Sequence, residues 1–366
     1  MNQDLVYKIS LTLVPGVGPV LARNLIAYCG SPEAVFTERK NHLQKVPGIG
    51  ATIAEAITSF TRFDRAEKEI DFIQKHNIRA LFYLDEEYPA RLKEVEDAPV
   101  VLYVKGKQNL NVAKVLGVVG TRKATFYGKT VSNQIIAALK PFNVLIISGL
   151  ALGIDYIAHR AALNNDLPTA AVLGHGLDSI YPGQHRAIAA EIASKGCLIT
   201  EYLSGTPPDK PNFPERNRIV AGMVDAVLVV ETGVKGGALI TAELANSYNR
   251  EVFAIPGRTD DLLSAGCNRL IKHNKACLVE NAEDIAYHLG WDISQTNTHD
   301  DIAGKIAELS EAELQVYNFL KNNNKTHIDQ ITSGIGKPVS ELSVILLGLE
   351  FKGLIHTLPG NFYQSV

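Results

Sequence analysis

Residues 206–222, TPPDKPNFPERNRIVAG, hold the densest set of groups in the chain able to grip an anion. Lys210, Arg216 and Arg218 lie there with Asn217 and Phe213. Arginine binds phosphate with a two-pronged fork, lysine adds a point charge, and an aromatic ring offers a face to any base. The prolines hold the first half of the stretch extended, and Pro214 suits the first turn of a helix. This combination fits single-stranded nucleic acid. The structural alternative pairs Arg216 or Arg218 with Glu201 or Glu231 and buries Phe213.

Four glycine-rich turns stand upstream and downstream of that stretch. They are Gly117–Arg122, Ser148–Asp155, Gly174-His175-Gly176 and Glu231–Ala238, and each follows a short apolar run. Such turns bring backbone N–H groups close to phosphate at the start of a helix. They are not those of a known nucleotide fingerprint. Position 179 is Ser179 where a G-x-G-x-x-G motif needs glycine, and Lys123 stands where a P-loop ending in Gly128-Lys129-Thr130 needs one. A nicotinamide dehydrogenase or a P-loop ATPase is therefore disfavoured.

Positioning these turns requires an α/β core. From about 112 to 289 the runs AKVLGVVG, FNVLIIS, TAAVLG, CLIT, AVLVVE, EVFAIP and ACLVE alternate with helical stretches. They are apolar on both faces, as in a parallel sheet covered on both sides. The spacing predicts a doubly wound, Rossmann-like, mostly parallel sheet with its ligand at the carboxyl ends of the strands. Two further strand-like runs in 80–104 could join this core or the region before it.

The chain has 366 residues, 46% hydrophobic and 20% charged, enough for two or three ordinary domains. Its formal charge of −3 excludes a polycation, so any nucleic-acid field must be local. No apolar window reaches the length of a bilayer span, and no basic cluster precedes an apolar run at the amino terminus. Cys29, Cys197, Cys267 and Cys277 lack zinc spacing and read as reduced, partly buried thiols of a cytoplasmic protein. No metal, cofactor or membrane contact is expected.

The expected domains are 1–80, 81–291 with a lead-in at 81–111, and 302–366, with DISQTNTHDD (292–301) as a linker. In the first, Val14-Pro15-Gly16-Val17-Gly18 is echoed by Val46-Pro47-Gly48-Ile49-Gly50, each leading into a helical pattern. These resemble a doubled helix-hairpin-helix, whose exposed N–H groups can hold a phosphate or which can serve only for packing. In the last, helices are expected over 302–323, 327–335 and 339–354, followed by a small hairpin, as in a winged helix. Ser310 and Glu313 have capping-box spacing. Five basic residues against eight acidic over 300–366 argue for protein contact rather than phosphate binding.

The segments GVVGTR, YGKTVSNQI, SGLALGIDYIAHRAAL, LGHGLDSIYPGQHRAIAAEI, GCLITEYLSGTPPDKPNFPERNRIVAGMVDAVLVVE, GGALITAELANSYNREVFAIPG and GCNRLIKHNKACLVEN together resemble the DNA-processing protein A family. The resemblance spans nearly the whole chain. It implies a non-enzymatic, homodimeric protein that binds single-stranded DNA and loads the RecA recombinase during natural transformation. Carried onto matching positions, it implies phosphate contact by Arg122, with Thr121 beside it where many relatives have serine. It implies backbone approach at Gly149 and Gly153, where a helix begins near Ile154. Lys210 would supply charge, Phe213 would stack, Asn217 and Arg218 would frame the pocket, and Gly236 and Gly237 would line its far side.

The rival reading is a Rossmann-like nucleotide hydrolase of the cytokinin-activating or lysine-decarboxylase-like type. Its P-G-G-x-G-T pattern is not matched by Val234–Leu239, although Asp155, Glu201, Glu231, Glu243, His159 and His175 remain candidate acids or bases. Asp155 and His159, four residues apart, could hydrogen-bond across one helical face. His175 and His185 are expected in an exposed polar loop, and Tyr181-Pro182-Gly183 reads as a turn.

Overall fold

The computed structural model describes residues 3–292, 306, 309–323, 325–358 and 360–365. The chain forms two compact units, Met1–Ser294 and Gln295–Val366. Most of the expected linker at 292–301 lies outside the described residues.

The first unit is built on a nine-stranded sheet. Its strands are β1 (Ile78–Phe82), β2 (Val101–Gly106), β3 (Val115–Val119), β4 (Leu145–Ser148), β5 (Thr169–Val172), β6 (Cys197–Thr200), β7 (Ala226–Val229), β8 (Glu251–Ala254) and β9 (Cys277–Leu278). The order is β1-β2-β6-β5-β4-β3-β7-β8-β9. Strands β3 to β9 pair in parallel, and β3 and β7 meet at the centre with Leu116 opposite Ala226. The five strands β3 to β7 are buried at every position, which explains their continuous apolar runs. The reversal of order at β3 makes β4 and β7 its neighbours, and a crevice opens there beyond the carboxyl ends of the strands. The two runs in 80–104 join this sheet, with β1 antiparallel to β2 and β2 antiparallel to β6.

The amino-terminal helices hold two matching hairpin turns. Gly16 (φ 81°) and Gly48 (φ 85°) both take the left-handed conformation, and helices Pro19–Cys29 and Ala51–Thr58 start at Gly18 and Gly50. A Cβ on Gly48 would lie 2.7 Å from Leu21 Cδ2, so the second turn packs directly on the helix of the first.

These helices are fastened to the sheet. Arg23 Nη1 donates to the Val95 carbonyl at 3.0 Å, and its guanidinium lies over the Tyr83 ring. Buried Glu69, on helix Phe63–Lys75, accepts from the Ser204 N–H at 3.0 Å and pairs with Arg65 at 2.9 Å. Arg65 Nη2 in turn donates to the Ser204 carbonyl at 2.6 Å. Ser204 begins the loop that leads into residues 206–222, so this contact fixes where that loop leaves the sheet.

The second unit has helices Glu311–Asn323, Ile328–Ile335 and Val339–Phe351 with a three-stranded sheet of β10 (Thr326–His327), β11 (Ile355–Leu358) and β12 (Phe362–Ser365) in the order β10-β12-β11. This is a winged helix. Its first helix opens with the expected capping box: Glu313 N–H donates to Ser310 Oγ, and Ser310 N–H donates to the Glu313 carboxylate at 2.9 Å. Of the helix expected over 302–323, residues 302–305, 307 and 308 lie outside the described residues. The third helix exposes Val344 (72%), Leu347 (53%) and Phe351 (84%), an apolar stripe at three- and four-residue spacing.

Removing the Glu69 carboxylate strands Arg65 and the Ser204 N–H at a buried junction. Glu69→Ala is expected to lower unfolding free energy by about 3–5 kcal/mol, read by urea titration. An unchanged midpoint would mean the junction contributes nothing.

Candidate nucleic-acid interface

A cavity of about 580 Å³ opens at the crevice between β3, β4 and β7. Thr121, Arg122, Lys210, Phe213, Asn217, Gly236 and Gly237 line it, together with Asp155, Tyr181 and Arg216. Seven of the eleven residues singled out from the sequence therefore converge on one groove.

The other four do not line it. Arg218 pairs with Glu201 on another side of helix Asn212–Gly222, and both side chains are largely buried. Two positions along a helix are about 200° apart, so a helix that turns Arg216 toward the groove turns Arg218 away. Gly149, Gly153 and Ile154 form the wall from behind. The Gly149 N–H is donated to the Asp155 carboxylate at 3.1 Å, and Ile154 N–H donates to the Thr121 carbonyl at 3.1 Å beneath fully buried Ile154. A Cβ on Gly153, which sits at φ 76°, would meet the Thr121 carbonyl at 2.2 Å.

Arg216 organises this wall. It is buried, and its Nη1 donates to the Gly149 carbonyl at 2.7 Å and to the Val172 carbonyl. A Cβ on Gly149 would lie 2.3 Å from Arg216 Nη2, so only glycine lets the guanidinium reach the turn. Burial pushes the Asp155 carboxyl above its ordinary value, opposed by the attraction of Arg216, while its Oδ2 accepts from the Gly149 and Ala151 N–H groups. Sequence reading left Arg216 open as a pairing residue. Its spacing of three from Phe213, one helical face, is the signal that it belongs with the groove.

The available cations are different in kind. Arg122 and Lys210 are exposed, and neither has a carboxylate partner among the described residues. The Arg122 guanidinium lies 5.7 Å from the centroid of half-buried Phe213, a cation–π distance. The Phe213 ring also lies 5.8 Å from that of Tyr181. Around the rim, helices Ile154–Asn164 and Gly237–Ser247 begin without a side-chain cap. Both present the positive end of a helix dipole, but Ile154 N–H is taken by the Thr121 carbonyl, so the start at Gly237, which lines the groove, is the one that faces it.

Most of the candidate acids and bases are spent elsewhere. Glu231 is buried, accepting from Thr125 N–H at 3.0 Å and from Thr125 Oγ1, and so holds the start of helix Phe126–Ala138. Glu201 belongs to Arg218, and Glu243 lies on the surface 3.7 Å from Lys275. His159 does not bond Asp155. Its Nδ1 meets Thr169 Oγ1 at 2.7 Å in a fully buried site. His175 and His185, expected in solvent, are also buried: their rings bond the Gly176 and Leu150 carbonyls, 2.9 Å each. Backbone groups left by these tight loops need partners, and the imidazoles supply them. Among the described residues no group of His, Cys, Asp and Glu is placed to hold a metal ion, and no helix is long and apolar enough to cross a membrane.

A family model described as DNA recombination-mediator protein A matches residues 79–290, the sheet and its groove. The chain belongs to the DNA recombination-mediator protein A family. Models of a SAM-like helix-hairpin-helix tandem and a DprA winged helix domain match residues 9–62 and 303–361. Protein Smf of Synechocystis is 34% identical over 395 residues, 99% of each chain. The solved structure of DNA processing protein A from Streptococcus pneumoniae superposes with a TM-score of 0.68 at 34% identity, over 77% of this chain and 97% of its own. A Helicobacter pylori DNA processing protein A structure, which reports a single-stranded DNA binding mode, gives 0.53 at 30% identity over 58% and 95%. The family's domain set thus accounts for both units described above.

The buried helix behind the groove yields a pH dependence. Burial, with help from Arg216 and His185, lowers the His159 pKa to about 3. Unfolded histidine titrates near 6.5, so between these values the unfolded chain binds the extra proton. The contribution is complete above about pH 6.5 and is lost as pH falls. Urea titrations should show a His159 share of about 2 kcal/mol lost between pH 7 and pH 5. The His159→Gln variant should lack that share, and identical pH profiles would contradict the assignment.

Proposed function

We propose that this chain binds single-stranded DNA in the groove and serves as a homodimeric mediator that places the RecA recombinase on that DNA. The observation that carries the binding part is the pairing of Arg122 and Lys210, exposed and without carboxylate partners among the described residues, with the Phe213 ring in one crevice. Phosphates would lie along the two cations and the helix start at Gly237, and a base would lie against Phe213. Thr121, Asn217, Gly236 and Gly237 would supply hydroxyl, amide and close backbone contacts. Gly149, Gly153 and Ile154 would act by shaping the turn, and Arg218 by anchoring helix Asn212–Gly222 through Glu201.

The Helicobacter pylori relative's reported binding mode supports the single-strand reading, and the family's description as a recombination mediator supports the RecA step and a cytoplasmic site of action. A homodimer would set two grooves on one strand and lengthen the footprint. The groove is proposed as a binding site and not a hydrolytic one, since Glu231, Glu201 and Glu243 serve other partners and Asp155, which lines it, is engaged by the Gly149 and Ala151 N–H groups. No base release is expected from nucleoside monophosphates. The winged helix is proposed as a protein-contact module, because its third helix shows solvent Val344, Leu347 and Phe351 where a duplex reader carries cations.

Fluorescence anisotropy across a salt series tests the groove. Wild type is expected to prefer an oligothymidylate over duplex. The Arg122→Ala/Lys210→Ala variant should lose at least about tenfold in affinity, with a log–log salt slope shallower by about 1.4, two phosphate contacts at about 0.7 each. Arg218→Ala should keep the wild-type slope. Equal slopes for all three proteins would contradict the assignment.

A further inference from the structure

We infer that Tyr181 is a second base-stacking platform of the groove, taking the nucleobase adjacent to the one at Phe213. The inference rests on the single-stranded DNA reading above and adds to it a site for a second base.

Tyr181 lines the same cavity as Arg122, Lys210 and Phe213. About half of it (49%) faces solvent, and its hydroxyl has no hydrogen-bond partner among the described residues. A tyrosine kept for packing buries its ring and satisfies its hydroxyl. Here the anchoring is spent on the backbone instead. Tyr181 N–H donates to His175 Nε2 at 3.3 Å, and the His175 ring meets the Gly176 carbonyl through Nδ1 at 2.9 Å. The His175 carbonyl in turn accepts from Thr200 Oγ1 at 2.9 Å, at the end of β6. Nε2 can accept that N–H only without a proton of its own, and burial lowers the His175 pKa in the same direction. The chain thus fixes the root of a bulky aromatic residue and leaves its ring in water at a groove mouth.

The arrangement of the rings defines what they can hold. Their centroids are 5.8 Å apart and their planes are tilted by 37°. A base sandwiched between them would need two stacking gaps of roughly 3.4 Å, the axial rise per nucleotide of stacked bases, and so about 7 Å in all. The rings are therefore neighbours on one surface and not two jaws. On that surface each ring would take a base of its own, as do the aromatic platforms on which successive bases of a single strand stack. Arg122 above Phe213 places a cation for the phosphate beside that base. Because every base has a π-face, this second platform would lengthen the footprint without imposing a sequence.

The test scans one 2-aminopurine through an oligothymidylate bound to the full chain, comparing wild type with Y181A, Y181F and F213A. In wild type, two adjacent positions should change fluorescence on binding. Y181A should lose the change at one of them and F213A at the other. Y181A should weaken anisotropy-derived affinity by about tenfold, within the range for one stacked base, with an unaltered salt slope because no charge is removed. Y181F should match wild type in both readouts. Thermal melting of Y181A, a change at an exposed ring, checks that the fold is kept. Wild-type affinity and both signals surviving in Y181A would overturn the platform while leaving the groove standing. Y181F failing as Y181A does would replace stacking with a hydroxyl contact and overturn it equally. No single-strand binding by wild type would remove the underlying reading together with this one.

Discussion

One buried cation sets the geometry of the groove. Arg216 lies in the protein interior and reaches the carbonyls of Gly149 and Val172, at the ends of two neighbouring strands. A buried guanidinium is tolerated only where its donors are met, so the turn after β4 and the end of β5 must both sit within its reach. Gly149 can only be glycine for this reason. The same arginine fixes the rotation of helix Asn212–Gly222, and with it the directions of Phe213, Asn217 and Arg218. Asp155 holds the opposite side of the turn through two N–H groups, so the wall is built from both directions.

The basic residues divide into those that build and those that remain available. Arg23, Arg65, Arg91, Arg216 and Arg218 are spent on carbonyls or carboxylates within the first unit. Among the described residues Arg122 and Lys210 are not. A net charge of −3 is therefore compatible with a locally positive crevice, because what a phosphate would meet is the charge of Arg122 and Lys210 and the helix start at Gly237. The amino-terminal helices contribute indirectly. Glu69 and Arg65 hold Ser204, where the loop carrying Lys210 departs.

Much of this was legible in the residues. The apolar runs marked β3 to β7 because buried parallel strands must be apolar on both faces, while the edge strand β9, exposed at Cys277 and Leu278, was marked by its alternation with helices alone. The repeated Pro-Gly-x-Gly marked both hairpin turns, and Ser310 with Glu313 marked a helix start. Charge density marked a segment that lines the groove. Within it, roles were harder to assign, because Arg216 and Arg218 are alike in type and differ only in which side of a helix they occupy. His175 and His185 looked solvent-exposed because their neighbours are polar, yet their rings satisfy backbone groups of a tight loop. Tyr181, next to proline and glycine, read as a turn residue. Only the folded chain brings it to within 5.8 Å of Phe213, 32 positions away in sequence.

The central claim is that single-stranded DNA occupies this crevice, and photochemical crosslinking locates it most directly. An oligothymidylate carrying 4-thiothymidine would be irradiated with the full chain, and the modified peptides identified by mass spectrometry. The account predicts adducts on the peptides holding Arg122, Tyr181 and residues 210–217, suppressed by excess unlabelled single strand. Adducts confined to the hairpin turns at 14–18 and 46–50, or to helix Val339–Phe351, would place the DNA elsewhere and contradict it.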